Sequence, residues 1–236
     1  MWEINEEAEI QISELLGSKI YTIDNVFKHP KNLDRFLFNR QNFLVQGDPW
    51  SANGEQFLKY RYTDWIDKSC PVVAVAQKLC QQKVGNHGGF STNVEAFVFG
   101  EFNDFKNNYW FPHLDNGYTL VVYFNEEQEN GTNLYHPKLK EEAWFQRLMK
   151  DIPLGKDPWI PKKDVELVHT LKPSYNRAVL FDGAMFPHGS AIVNEDYYFD
   201  THPSVRPQNM RKNLCFFFYP DDNDKKENTS SRHKSS

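Results

Sequence analysis

Cysteine is scarce in this chain. Three thiols, Cys70, Cys80 and Cys215, are spread over 236 residues, with no CxxC pair among them, and an odd number cannot all be bridged. A disulfide scaffold and a thiolate metal cluster of the usual spacing are thereby set aside, and buried thiols in a reducing compartment are expected. Also missing is any excess of positive charge. With 27 Lys and Arg against 32 Asp and Glu the formal charge is −5, so no overall basic field draws the chain to nucleic acid or an anionic membrane. No apolar run reaches the length of a membrane span, and the opening Met1-Trp2-Glu3-Ile4-Asn5-Glu6-Glu7 lacks the basic and apolar stretches of a secretory leader. The expectation is a cytoplasmic protein without a membrane partner; the sequence leaves its oligomeric state open.

Large flat side chains, by contrast, are abundant. The 19 Phe, 11 Tyr and 6 Trp suit the interior of a β-sandwich or barrel, and a chain of this length can close one sizeable core. Residues 2–16 carry Ile10, Ile12, Leu15 and Leu16 among acidic residues, a pattern for a short helix or a packing arm. Ile20 to Phe27 alternates as a strand does, and Pro30 then opens a helix with Leu33, Phe36 and Leu37 on one face. The stretch from Gln46 to Ile66, rich in Gly, Pro, Asn and aromatics, reads as an irregular loop. Pro71 to Val84 has helical spacing behind its proline. Thereafter short aromatic and β-branched runs predict strands over Val94–Phe102, Trp110–Asp115, Tyr118–Asn125, Val165–Leu171, Arg177–Phe181 and Asn213–Tyr219, with one helix over Leu139–Lys150. The tail from Asp221 to Ser236 has too little apolar surface to order itself. The division expected is a supporting N-terminal strand and helices over residues 1–86, a β core over 87–220 and a disordered tail over 221–236.

Chemistry concentrates in Trp110-Phe111-Pro112-His113-Leu114-Asp115-Asn116. In an extended chain residues i and i+2 project from one face, so His113 and Asp115 can converge on a single ion while Leu114 points away. A second imidazole would complete the 2-His-1-carboxylate set of non-haem Fe(II) oxygenases. Four later histidines could supply it. His188 fits best, because the buried run Arg177–Phe181 ends in a turn that presents it at once. His169 lies mid-strand beside Val165, Leu167 and Leu171 and suits a core histidine better; His136 and His202 each precede a proline and suit exposed loops. In the last strand Arg211 shares a face with Asn213, Cys215 and Phe217, where a guanidinium can pair bidentately with a dicarboxylate. Lys212 points the other way, as a solvated surface charge. Arg206 is a competing anchor, but flanking prolines disfavour a strand there. Tyr123 shares a face with Thr119, and its phenol can either add a hydrogen bond to the same ligand or simply pack in the barrel.

In combination, His113-Leu114-Asp115-Asn116, Val121-Val122-Tyr123-Phe124-Asn125, Asn130-Gly131-Thr132, the Phe181 to His188 segment and Arg211-Lys212-Asn213-Leu214 resemble the Fe(II)/2-oxoglutarate-dependent dioxygenase superfamily, in particular its prolyl-hydroxylase-like branch. The resemblance covers roughly residues 90–220. It implies a mainly β fold with supporting helices around a double-stranded β-helix, the jelly-roll core of cupins. It implies His113, Asp115 and His188 as iron ligands, Arg211 for the far carboxylate of 2-oxoglutarate, and Tyr123, Asn213 and Thr119 around that cosubstrate. Fe(II), 2-oxoglutarate and O2 would be required, with ascorbate as an accessory reductant. A carboxylate at Asp115 implies hydroxylation over halogenation. Two departures stand out. A single glycine precedes Thr132 where relatives often have two, and the gap from His188 to Arg211 is long, leaving Asn194–Gln208 as a substrate lid or a plain surface insertion.

Two other readings compete. A cupin-like β-helix could bind a metal or partner without turnover, although such a protein has no use for a dicarboxylate anchor. A nucleic-acid demethylase of the same superfamily would want a basic groove with stacking aromatics; Lys138, Lys140, Lys162 and Lys163 beside Trp144 and Trp159 are more simply a charged surface. The expected substrate is a small molecule or a protein or peptide side chain, with a prolyl residue the one the resemblance suggests.

Overall fold

A period of two in the apolar residues recurs in the described strands and builds sheets. The computed structural model describes residues 3–37, 44–47, 59–63, 74–76, 89–98, 112–115, 117–126, 131–138, 160, 164–191 and 211–219. The first element is a hairpin. Strands β1 (Ile10–Leu15) and β2 (Ser18–Ile23) pair from Ile10↔Ile23 to Leu15↔Ser18 around Leu16 and Gly17, whose φ angles of 49° and 79° give the left-handed two-residue turn that matches strand twist. Within residues 2–16, expected as a short helix or a packing arm, Ile10–Leu15 is therefore a strand. The spacing of Ile10, Ile12, Leu15 and Leu16 fits both periods, and pairing with β2 decides for two.

Helix α1 (Pro30–Leu37) starts on the predicted proline and buries Leu33 completely. Two strands, β3 (Leu44–Gly47) and β4 (Lys59–Thr63), pair with each other; β4 and the end of β3 fall inside the stretch from Gln46 to Ile66 expected to be irregular loop. Then follow β5 (Gly89–Val98), β6 (Tyr118–Tyr123), β7 (Thr132–Pro137), β8 (Val165–Leu171), β9 (Arg177–Asp182), β10 (His188–Ser190) and β11 (Arg211–Tyr219). Of the helix expected over Pro71–Val84, residues 74–76 are helical. The helix expected over Leu139–Lys150, the insertion Asn194–Gln208 and the tail from Asp221 lie outside the described residues.

Eight strands make one sheet in the order β1-β2-β9-β6-β11-β5-β4-β3, and three make another in the order β10-β7-β8. An isolated antiparallel bridge between His113 and His188 adds the chain at His113 beside β10. From β5 onward the chain therefore passes from the large sheet to the small one at His113, back at β6, across for β7 and β8, back at β9, across at β10 and back at β11. This winding is that of a double-stranded β-helix, the jelly-roll core that the family resemblance implies. The N-terminal strands lengthen its larger sheet.

Register sorts the side chains into two cores. Tyr123, Val121 and Thr119 of β6 stand opposite Asn213, Cys215 and Phe217 of β11 on one side and Arg177, Val179 and Phe181 of β9 on the other. This face looks toward the small sheet, where Val121, Tyr123, Val179, Phe181 and Cys215 pack with Leu134, Leu171 and Phe186. The alternate residues Leu120, Val122, Phe124, Leu180, Leu214 and Phe216 pack outward with Tyr21 of β2, Phe27 and Leu33, so α1 and the turn at Val26 and Phe27 cover the back of the sheet.

One side chain fastens this cover. Asn176, at φ 63°, accepts from Phe27 N–H at 3.0 Å and donates to Phe27 O at 2.8 Å, while its own N–H donates to Tyr123 O at 2.8 Å. Replacing it by Ala would strand two buried main-chain groups of Phe27 and place a less tolerant residue at positive φ. The expected loss is about 2–4 kcal/mol, read as a lower urea midpoint; an unchanged midpoint would show that Phe27 finds other partners.

Candidate metal centre

His113 and His188 meet because their backbones do. His113 N–H donates to His188 O at 2.9 Å and His188 N–H donates to His113 O at 2.8 Å, the closed pair of an antiparallel bridge, which brings the imidazole centroids to 4.5 Å. Two residues on, Asp115 N–H donates to Gly183 O at 3.0 Å. Leu114, between the two polar residues, is partly buried against the small cluster of Tyr135, Ile160 and Val165. It points away as the alternation requires and pins the segment from behind.

The three side chains expected to converge do so. Ligand-type atoms of His113, Asp115 and His188 all lie within 4.8 Å of one another, and His188 Nε2 is 3.2 Å from Asp115 Oδ2. His188 is buried, against the edge of Phe181 at 4.9 Å, and its Nδ1 lies 2.9 Å from Phe186 O. A carbonyl can only accept, so that contact places the proton on Nδ1 and leaves the Nε2 lone pair for a cation, the usual outer support of a metal-binding imidazole. Asp182 Oδ1 accepts from Ala184 N–H and Met185 N–H at 3.1 Å each, which shapes the turn that delivers His188.

Thr119 Oγ1 donates to Asp115 Oδ2. Burial on its own pushes the Asp115 carboxyl up, but the charge and hydrogen bond of His188, the charge of His113 and the Thr119 hydroxyl together bring it from 3.8 down to about 2. A carboxyl lowered in the folded state stabilises the fold above its unfolded value, and that contribution disappears as pH falls from about 4 toward 2. In metal-free protein Asp115→Asn is therefore expected to remove about 2 kcal/mol of pH-dependent stability in this window. Urea midpoints measured from pH 2 to 5 check it, and parallel curves for variant and wild type would contradict it.

Two nitrogens and one ionised oxygen on one side of an ion fit the hard-to-borderline demands of Fe(II) and leave the opposite positions to other ligands. A donor set of this kind is the one mononuclear non-haem iron centres use, and here it stands in a double-stranded β-helix.

Tyr123 is buried, with its hydroxyl 2.8 Å from Thr132 Oγ1, joining the two sheets across the interior. Asn213 is buried opposite Tyr123, with Nδ2 3.0 Å from Cys215 Sγ. Arg211 holds the first position of β11, opposite Phe97 and in phase with Asn213; its side chain lies outside the described residues. Lys212 is on the other face, as expected, yet it is not a solvated charge. Its Nζ pairs with Asp34 of α1 at 2.8 Å and is mostly buried. His169 is exposed rather than part of the core, on the outer strand of the small sheet, next to a register shift between Leu134 and Tyr135. His136 is exposed as expected, but on β7 rather than in a loop. Asn116, His202 and Arg206 lie outside the described residues. Gly183 and the Phe186 carbonyl were not singled out from the sequence, and Thr132 stood there only within the Asn130-Gly131-Thr132 motif. Main-chain and small-residue roles leave no residue-type signal, and only the turn around Gly183 hinted at one.

No protein-family model and no curated protein sequence matches the chain. Solved structures do. An oxidoreductase of the 2OG-Fe(II) oxygenase family from Burkholderia pseudomallei is 7% identical, with 90% of this chain and 74% of that one covered and a TM-score of 0.31. EvdO2 from Micromonospora carbonacea var. aurantiaca, solved with 2-oxoglutarate, is 11% identical, with coverages of 89% and 94% and a TM-score of 0.41. A bsmA homolog from Methylobium petroleophilum is 12% identical, with coverages of 91% and 78% and a TM-score of 0.36. At these TM-scores the similarity adds nothing to what the strand order itself establishes.

Among the described residues no helix is long and apolar enough to cross a membrane.

Proposed function

We propose that this protein is an Fe(II)- and 2-oxoglutarate-dependent oxygenase that hydroxylates a C–H bond of a small molecule or of a prolyl or other side chain in a protein or peptide. The observation that carries the reading is the gathering of His113, Asp115 and His188 within 4.8 Å where the small sheet of a double-stranded β-helix faces the large one. His113, His188 and Asp115 would hold the iron. Bound there with 2-oxoglutarate, it supplies O2 activation, in which substrate C–H, O2 and 2-oxoglutarate become substrate C–OH, succinate and CO2.

The chain's own residues have separable tasks. The Phe186 carbonyl keeps the His188 proton on Nδ1, away from the metal side. The low carboxyl of Asp115 keeps one negative charge beside the cation at any physiological pH. From Thr119 to Tyr123 the interior face of β6 runs four residues, roughly 13 Å at the usual rise of a strand, and position 211 lies beyond the Tyr123 end. A guanidinium from that position would take the far carboxylate of the cosubstrate, with the Tyr123 and Thr132 hydroxyls beside it. Val121, Val179, Phe181 and Phe186 line the interior between these ends and exclude water from it.

Incubation of the purified chain with Fe(II), 2-oxoglutarate and air tests the reading. Succinate formation that needs all three and is lost in Asp115→Ala is expected. Tight metal binding without any succinate, across peptide and small-molecule substrates, would favour the non-catalytic β-helix instead.

A further inference from the structure

The carboxylate of the metal set is held by two residues that are not themselves ligands. Thr119 Oγ1 donates to Asp115 Oδ2, the oxygen that also faces His188 Nε2 at 3.2 Å. Gly183 stands against this contact. Its carbonyl accepts Asp115 N–H at 3.0 Å, and a Cβ at Gly183 would overlap Thr119 Oγ1 and press on Asp115 Cβ and Gly117 O. From this geometry we infer that Thr119 is a positioning residue for the metal ligand Asp115, and that Gly183 is the residue whose missing side chain makes room for it. The inference rests on the metal site proposed above.

The physical reasons are local. An Asp side chain turns easily about its last torsion, so a free carboxylate would present either oxygen, or swing to pair with His188 alone. An ionised carboxylate only accepts, which makes the Thr119 hydroxyl the donor and leaves Oδ2 a second lone pair for a cation. Thr119 is 2% exposed, its branched Cβ restricts its own rotation, and its strand position opposite Phe181 and Phe217 is fixed by both neighbouring strands. Thus β6 sets the hydroxyl, the hydroxyl sets the oxygen, and the ion meets a carboxylate already turned.

Mn(II) is the probe, titrated into the full chain and followed by the electron paramagnetic resonance signal of the free ion, with no turnover involved. Thr119→Val, close in shape but without the donor, is expected to weaken Mn(II) binding about 10–100-fold. Thr119→Ser should bind nearly as wild type does. Gly183→Ala should weaken binding in the same direction as the valine variant. Unchanged affinity in Thr119→Val overturns the inference, and so does a serine variant as weak as the valine one, because then packing of the methyl matters and the hydroxyl does not. If circular dichroism shows that the valine variant is unfolded, Thr119→Ala carries the same decision against Thr119→Ser. A folded wild type that binds no Mn(II) would sink the metal site itself and this inference with it, a result distinct from wild-type binding that the Thr119 variants leave untouched.

Discussion

His188→Ala is expected to abolish Fe(II) binding at this centre, a larger loss than the roughly 10–100-fold that removing an outer support costs. The imidazole contributes a donor atom, and its Nε2 is the one positioned 3.2 Å from Asp115 Oδ2. The truncation would also take away the ring that faces Asp115 Oδ2 at 3.2 Å, and would open a void against Phe181 and the His113 ring. A structural explanation of lost binding therefore needs a control. His188→Gln keeps most of the volume, and thermal unfolding of both variants separates collapse of the barrel from loss of the ligand. Equilibrium dialysis with Fe(II) under anaerobic conditions reads the result. Binding that survives in His188→Ala would mean that another histidine completes the set.

The second large effect is expected at position 211, the proposed anchor of the cosubstrate. Arg211→Ala is expected to raise the 2-oxoglutarate concentration needed for half-saturation by 2–5 kcal/mol worth of affinity, about 30-fold or more, as removal of one partner from a buried bidentate charge pair does. Lys212→Ala is the control on the neighbouring residue. It should leave the cosubstrate requirement alone and instead lower stability, because Lys212 Nζ holds Asp34 of α1 at 2.8 Å and 3.1 Å. Isothermal titration with 2-oxoglutarate and Mn(II), beside a urea curve for each variant, distinguishes the two. Equal effects on cosubstrate binding would overturn the assignment of opposite strand faces to these residues.

What could be seen in advance follows from the range of the interactions. His-x-Asp was legible because the period of a strand is a property of three consecutive residues. His188 was legible because a buried run ending in a glycine-containing turn is also local. Sequence also fixed the face of Lys212, by alternation along β11. It could not tell what covers that face, since the partner Asp34 is 178 residues away. Thr119 was assigned to the cosubstrate's surroundings from its phase with Tyr123. The donor contact to Asp115 depends on how the chain returns between them and on the Gly183 turn pressing in from β9. Strand β1 was hidden by an apolar spacing that serves a helix as well as a strand, with Ile10 and Ile12 left 40% and 58% exposed so that burial gives no lead either. In β3 and β4 the short segments lie among turn-forming residues, and pairing of β3 with β4 and of β4 with β5 makes them strands. His169 was read from its apolar neighbours, whereas its place on an outer strand is set by the topology of the small sheet.

The central claim is that one iron ion and one 2-oxoglutarate share the centre built by His113, Asp115 and His188. Its most direct measurement is an anaerobic titration of the protein with Fe(II) and then 2-oxoglutarate, followed by visible absorption. A weak charge-transfer band that saturates at one equivalent of each, and is missing from His188→Ala, is the result expected. Failure of folded wild-type protein to develop any band that depends on both iron and 2-oxoglutarate would contradict the claim.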